Sequence, residues 1–177
     1  MPNYILTGTP GSGKTTIIRQ LEIEGYGVVE EAATDVIFLE NAYGKHAPWQ
    51  HIDFLEKITR LQIQRRQCCI TPSIQIQFSD RSIFCTYALA RYLGFHPPDL
   101  LMNEIKYIKE SKIYEDTVFF IEYLGYIKKT EARKISFEEA LHFENIHKEV
   151  YASYGFRLVE ISPDSIRNRT DKIIRLI

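Results

Sequence analysis

The octet Gly8-Thr9-Pro10-Gly11-Ser12-Gly13-Lys14-Thr15 reads G-x-x-x-x-G-K-[ST] and begins directly after the apolar stretch Tyr4-Ile5-Leu6. Residue types at this spacing hold the phosphates of a nucleoside triphosphate. A helix N-terminus carries unpaired N–H groups and roughly half a positive charge, and glycines let the preceding backbone curl so that successive N–H groups surround a phosphate. Lys14 is placed to bridge the β- and γ-oxygens and Thr15 to ligate Mg2+, with Thr16 next along the helix. Residues 15–21 contain no helix breaker and space Ile17, Ile18 and Leu21 at helical intervals.

Two further segments end on charge. The β-branched pair Val28-Val29 runs into Glu30 and Glu31, and the alternating stretch 73–78 delivers Asp80-Arg81-Ser82. A carboxylate at a strand end beside the loop can hold Mg2+ directly or through its water, so Asp80 joins Thr15 as a metal candidate. Motor ATPases place a second acid after this one to polarise water. Here the next residue is Arg81, whose planar fork suits clamping of a phosphate or an anionic substrate; an ion pair with Asp80 is the alternative. An acceptor hydroxyl must lose its proton as the γ-phosphoryl group transfers, and a carboxylate ending strand two can take it. Consecutive strand-end residues point different ways, so at most one of Glu30 and Glu31 faces the phosphate. Asp35, one turn beyond Glu31, shares its face and can reach a sugar hydroxyl or serve only solubility.

The elements that must carry these residues alternate. Strand one covers Tyr4-Ile5-Leu6 and strand two Val28-Val29; a helix follows over 32–41, then a loop at 43–49 holding Gly44 and Pro48. A long helix over 51–67 buries Phe54, Leu55, Ile58, Leu61 and Ile63, with Arg60, Arg65 and Arg66 looking outward. Strand three is expected at 73–78 and a helix at 83–93 closed by Gly94. Asp99 caps the next helix, 117–121 is a buried strand, and 122–135 is a basic loop. Ser136-Phe137-Glu138-Glu139 is a capping box for a helix presenting Ala140, Phe143, His147, Val150 and Tyr154 on one face. Strand five is 157–161, and Ser162-Pro163-Asp164 opens the last helix to residue 177. Five strands alternating with helices predict an α/β fold of three layers: a five-stranded parallel sheet covered on both faces, in one domain over 1–177. Ligands gather at the C-terminal strand ends of such sheets, which brings the octet, Glu30, Glu31 and Asp80 together.

The combination of the octet with Thr16, Val28-Val29-Glu30-Glu31-Ala32-Ala33, Asp80-Arg81-Ser82 with Tyr87-Ala88 and Tyr92-Leu93-Gly94, and Glu131-Ala132-Arg133 before Ser136-Phe137-Glu138-Glu139-Ala140 resembles the AAA_28 family. That family groups ATPase-annotated proteins with the ribosylnicotinamide kinase domain of NadR-type proteins. No Asp-Glu pair follows strand three and no helical domain is appended, so the resemblance implies a nucleoside- or nucleotide-kinase-like phosphate-loop fold, not an AAA machine. It implies Glu31 as the carboxylate near the phosphoryl acceptor, and 122–135 as a lid from which Arg133 would stabilise the transferring phosphoryl group on closure. Relatives more often carry an acid three residues before that Arg, where Thr130 stands. The resemblance also places Arg169 where relatives pack a side chain on the purine ring.

The chain has 177 residues, 45% hydrophobic and 25% charged, with a net charge of −1 and its Lys and Arg spread evenly, so no nucleic-acid partner is expected. The octet begins too near Met1 for a signal peptide, and no apolar run reaches the ~20 residues of a membrane span, so a soluble, cytoplasmic protein is expected. Cys68, Cys69 and Cys85 form no C-x-x-C and the five histidines no H-x-x-x-H, so neither a disulfide framework nor zinc is expected. Two functions fit. One is ATP- and Mg2+-dependent transfer of a phosphoryl group to a hydroxyl of a small, nucleoside-like molecule; the other is a nucleotide switch or slow NTPase that engages a protein or lipid. No Asn/Thr-Lys-x-Asp motif reads guanine, which favours ATP over GTP. No pattern sets the oligomeric state.

Overall fold

The computed structural model describes residues 1–9, 11–68, 74–123 and 137–177. Five strands form one parallel sheet in the order β2 (Gly27–Val29), β3 (Gln77–Asp80), β1 (Asn3–Thr7), β4 (Thr117–Ile121), β5 (Arg157–Ile161). Around it lie α1 (Lys14–Ile23), α2 (Ala33–Ala42), α3 (Asp53–Cys68), α4 (Ile83–Leu93), α5 (Asp99–Ser111), α6 (Phe137–Ser153) and α7 (Ile166–Ile174).

Successive strand side chains point to opposite faces, and β1 divides the core accordingly. Ile5 packs with Phe84 of α4, Ile105 of α5 and Val150 of α6, whereas Leu6 packs with Ile17 and Leu21 of α1 and Ile173 of α7. With helices on both faces, the inner strands read as continuous apolar or fully buried runs, as Val118, Phe119, Phe120 and Ile121 do. A third cluster joins Ala32 and Val36 of the α2 end to Phe54 and Ile58 of α3, with Trp49 and Leu89 packed against it.

Three local expectations change. β3 starts at Gln77, not at residue 73, and includes Asp80; all four of its residues are buried because it is an inner strand between β2 and β1, where alternation carries no information. α7 begins at Ile166 with Ser165 as its cap, the hydroxyl accepting from Asn168 N–H at 3.2 Å. Asp99 is the first residue of α5 and Pro98 holds the cap position. The expected cap at Ser136 lies outside the described residues. Gly94 ends α4 at φ 71°, as its sequence position predicts.

The ladder sets the heights of the functional residues. Leu6 pairs with Asp80 and Val29 with Ser79, so the start of the phosphate loop, Asp80 and the Glu30-Glu31 corner emerge side by side at the C-terminal sheet edge. The chain order reverses on either side of β1, the place where open parallel sheets form ligand crevices. Among the described residues, no helix is long and apolar enough to cross a membrane.

Candidate functional site

Between β1 and α1 the backbone makes a turn that only glycine fits at two points. Gly8 has φ 136°, and a Cβ there would lie 2.2 Å from the Ile121 carbonyl oxygen of β4. Gly13 caps α1 in the left-handed region at φ 85°. The turn directs the first N–H groups of α1 into the crevice, with Thr15 and Thr16 exposed in its first turn. Lys14 is buried, and its ammonium donates to Gly8 O at 3.0 Å, Thr9 O at 2.9 Å and Ser12 Oγ at 3.3 Å. Burial and the neighbouring Arg81 charge pull Lys14 down to about 7 against the opposing carboxylates of Asp80 and Glu31. Gly11 and Ser12 belong to the same turn; Pro10 lies outside the described residues.

Asp80 ends β3 with its Oδ1 buried and without a hydrogen-bond partner. Burial raises its carboxyl to about 6 in spite of the Lys14 charge. Thr9 Oγ1 and Arg169 Nε share this condition, so of five such buried atoms among the described residues three belong to the phosphate loop and its supports. Buried polar atoms are normally satisfied, so the unpartnered Asp80 Oδ1 and Thr9 Oγ1 at the C-terminal sheet edge suit a place that takes a ligand or ion. The Asp80 carboxylate and the Thr15 hydroxyl are hard oxygen donors of the kind Mg2+ takes, and they are the residues that could hold it.

Arg81 adopts φ 68°, uncommon for a non-glycine residue and a form of strain that collects at working sites. Its N–H donates to Leu6 O at 2.9 Å, which fixes the turn against β1. The side chain then reaches Glu31, with Arg81 Nε 2.8 Å from Glu31 Oε1. Thr34 Oγ1 also donates to Glu31, at 2.8 Å. Burial opposes ionisation of Glu31, but the Arg81 and Lys14 charges and the Thr34 hydroxyl prevail and hold it below the usual glutamate value. Glu30 turns the other way and pairs with Arg19 on the surface. Of the two consecutive acids, Glu31 is therefore the one in the crevice. Asp80 is not the ion-pair partner of Arg81.

The pairing has a stability consequence. With the folded pKa of Glu31 depressed, the unfolded chain binds more protons near pH 4.5; the contribution is full above that value and is lost as pH falls through the folded pKa. Arg81→Gln should cost about 2 kcal/mol at pH 7. Unfolding midpoints measured from pH 7 to 3 should show the gap to wild type closing at the acid end; a gap independent of pH contradicts the assignment.

Two features of the site have no local sequence signature. Arg65, expected to look outward from α3, donates to the Glu30 and Glu31 carbonyls and pairs with Asp35, so it clamps the corner that carries Glu31 and occupies the carboxylate considered for a sugar hydroxyl. Arg66 also turns inward, pairing with Glu104 of α5. Cys85, buried in the first turn of α4, lies 3.3 Å from Thr7 Oγ1 and 3.1 Å from the Tyr151 hydroxyl. Burial raises this thiol, but the adjacent His147 and Arg81 outweigh it and bring it to about 5.

Arg169 stands elsewhere than a purine-stacking position. Its guanidinium donates to Ser12 O at 2.8 Å, Glu122 O at 3.1 Å and Ile161 O at 3.4 Å, and the residue is 3% exposed, so no ring face is open to it. Arg133, expected on the lid, lies outside the described residues, as does most of 122–135. A cavity of about 230 Å³ opens beside Thr9, between Glu122, Glu144 and Pro163.

The AAA_28 family model, described as an AAA domain, matches residues 3–169. The chain belongs to the AAA_28 family. Among solved structures, this AAA_28 chain is similar to deoxyadenosine kinase from M. mycoides with bound dATP, at 15% identity and a TM-score of 0.63 over 99% of this chain and 98% of that one. It is also similar to NadR protein in complex with NAD and AMP-PNP, at 17% identity and a TM-score of 0.69. That likeness takes in 98% of this chain and 49% of NadR, so the AAA_28 chain spans about half of the NadR chain. No curated protein sequence matches it. At these identities the likeness establishes the fold: a phosphate-loop kinase-like fold, similar to those of deoxyadenosine kinase and NadR.

Proposed function

We propose that the protein is an ATP- and Mg2+-dependent phosphotransferase acting on a hydroxyl of a small, nucleoside-like molecule. The observation that carries this reading is the pairing of Glu31 with Arg81 beside the phosphate loop, in a crevice where no second acid follows Asp80. A hydrolase needs a base aimed at water next to the γ-phosphate. A kinase needs a base facing an acceptor, with a cation that orients it, and the Glu31–Arg81 pair supplies both kinds of group.

On this reading the triphosphate lies along the N–H groups of residues 11–16, and Lys14 exchanges its carbonyl contacts for β- and γ-oxygens. Mg2+, held by Thr15 and Asp80, would offset charge on those oxygens. Glu31 accepts the proton of the acceptor hydroxyl late in a loose transition state, since an ordinary alcohol becomes acidic only as its oxygen bonds to phosphorus. Arg81 fixes the carboxylate geometry and adds positive charge beside the phosphoryl group. Arg133 is proposed to arrive from the lid segment and exclude water, which suppresses hydrolysis.

The test is a panel of nucleosides, nucleotides and vitamin-like alcohols, screened for acceptor-dependent ADP formation. Asp80→Asn separates the site from the scaffold. Burial raises the Asp80 carboxyl in spite of the Lys14 charge, and its Oδ1 has no hydrogen-bond partner, so removing the charge should stabilise the nucleotide-free fold by about 1 kcal/mol, while turnover falls about 10²- to 10³-fold. An Asp80→Asn protein that unfolds at a lower temperature, or that turns over normally, contradicts the role.

A further inference from the structure

Arg169 is a buried cation with no carboxylate within 4 Å among the described residues, and it sits directly under the phosphate loop. Its fork joins three separate pieces of chain: the loop at Ser12 and the ends of β4 and β5 at Glu122 and Ile161. A loop whose N–H groups turn inward to a phosphate must turn carbonyls outward, and an outward carbonyl in a dry place needs a donor. A neutral donor would satisfy that need. A guanidinium also brings a full charge, which in a low-dielectric setting acts across the loop on whatever the N–H groups hold. Burial works against this charge and the carboxylates of Glu122 and Asp164 only partly offset it, so the nucleotide-free fold retains a positive site that an anion would relieve.

We infer that Arg169 is a positioning residue that strengthens triphosphate binding from beneath the loop, acting through the Ser12 carbonyl and by its charge and touching neither base nor phosphate. The inference rests on the phosphate-loop reading and on no particular acceptor.

Equilibrium binding of ATP, measured by titration calorimetry alongside thermal unfolding without nucleotide, tests it. Arg169→Lys and Arg169→Gln both break the three-way fork, so both should unfold at lower temperature than wild type. Their affinities should separate. Arg169→Lys keeps the charge and should bind ATP within about threefold of wild type, whereas Arg169→Gln should bind at least about tenfold more weakly. Glu122→Gln leaves Arg169 and the loop in place while removing the opposing charge that acts on Arg169 most strongly, and should tighten ATP binding about twofold to threefold. This variant keeps the test decisive if Arg169→Gln does not fold. Equal losses in Lys and Gln variants would reduce Arg169 to a structural staple and overturn the electrostatic role, as would unchanged or weaker binding by Glu122→Gln. A wild-type protein that fails to bind ATP overturns the phosphate-loop reading and this inference with it. Wild-type binding with an unaffected Arg169→Gln overturns this inference alone.

Discussion

Gly8→Ala is expected to destabilise the fold by more than about 3 kcal/mol and to abolish nucleotide binding in any fraction that folds. Two independent costs combine. The backbone at φ 136° is rarely tolerated with a side chain, and the added Cβ would meet the Ile121 carbonyl oxygen at 2.2 Å, far inside contact distance. That oxygen belongs to β4, which pairs with β1 and β5 and cannot move without breaking the sheet. The only remaining response is for the loop to lift, which turns its N–H groups away from the phosphates. Gly155→Ala serves as the control: φ is 79° but a Cβ would meet nothing within 4 Å, so the cost should be about 1 kcal/mol of backbone strain with nucleotide binding intact. Thermal unfolding with and without ATP distinguishes the two. Comparable small losses in both would show that the close approach to β4 is not binding on the loop.

Glu31→Gln is expected to lower acceptor-dependent turnover about 10²- to 10⁴-fold while ATP affinity stays within about threefold. The amide keeps the shape that fits against Arg81 and Thr34 but cannot accept a proton. Glu30→Gln, one residue away, should have almost no effect, because Glu30 pairs with Arg19 outside the crevice. The contrast between neighbouring acids guards against a general effect of charge at the strand end. A large loss in Glu30→Gln with little loss in Glu31→Gln would reverse the assignment.

What could be read from the sequence was what is encoded locally. The octet, the apolar strand at 117–121 and the glycine that ends α4 each depend on a few consecutive residues whose backbone needs are distinctive. The sheet and its two covered faces followed from alternation of such segments. The position of β3 did not follow, because an inner strand is buried on both sides and the alternating polar and apolar residues at 73–78 imitate a half-exposed strand that starts four residues before Gln77. Glu30 and Glu31 were half legible: strand geometry said that they diverge, but only Arg19 and Arg81 decide which one faces inward. Arg65 and Arg66 looked like the solvent face of α3 because their partners lie 30 and 38 residues away, on the α2 corner and α5. Arg169 was the hardest case. Its partner Ser12 is 157 residues distant, and no pattern along the chain signals a guanidinium folded beneath a loop at the other terminus.

Phosphoryl transfer to an acceptor is the central claim, and following the γ-phosphoryl group itself tests it most directly. ATP labelled in that group is incubated with the protein, Mg2+ and each member of the acceptor panel, and label in organic phosphate is separated from label in inorganic phosphate. The account predicts at least one hydroxyl compound that draws most of the label into a phosphorylated product, with that product lost in Glu31→Gln. Label that passes only to inorganic phosphate, at a rate no acceptor changes, would contradict it.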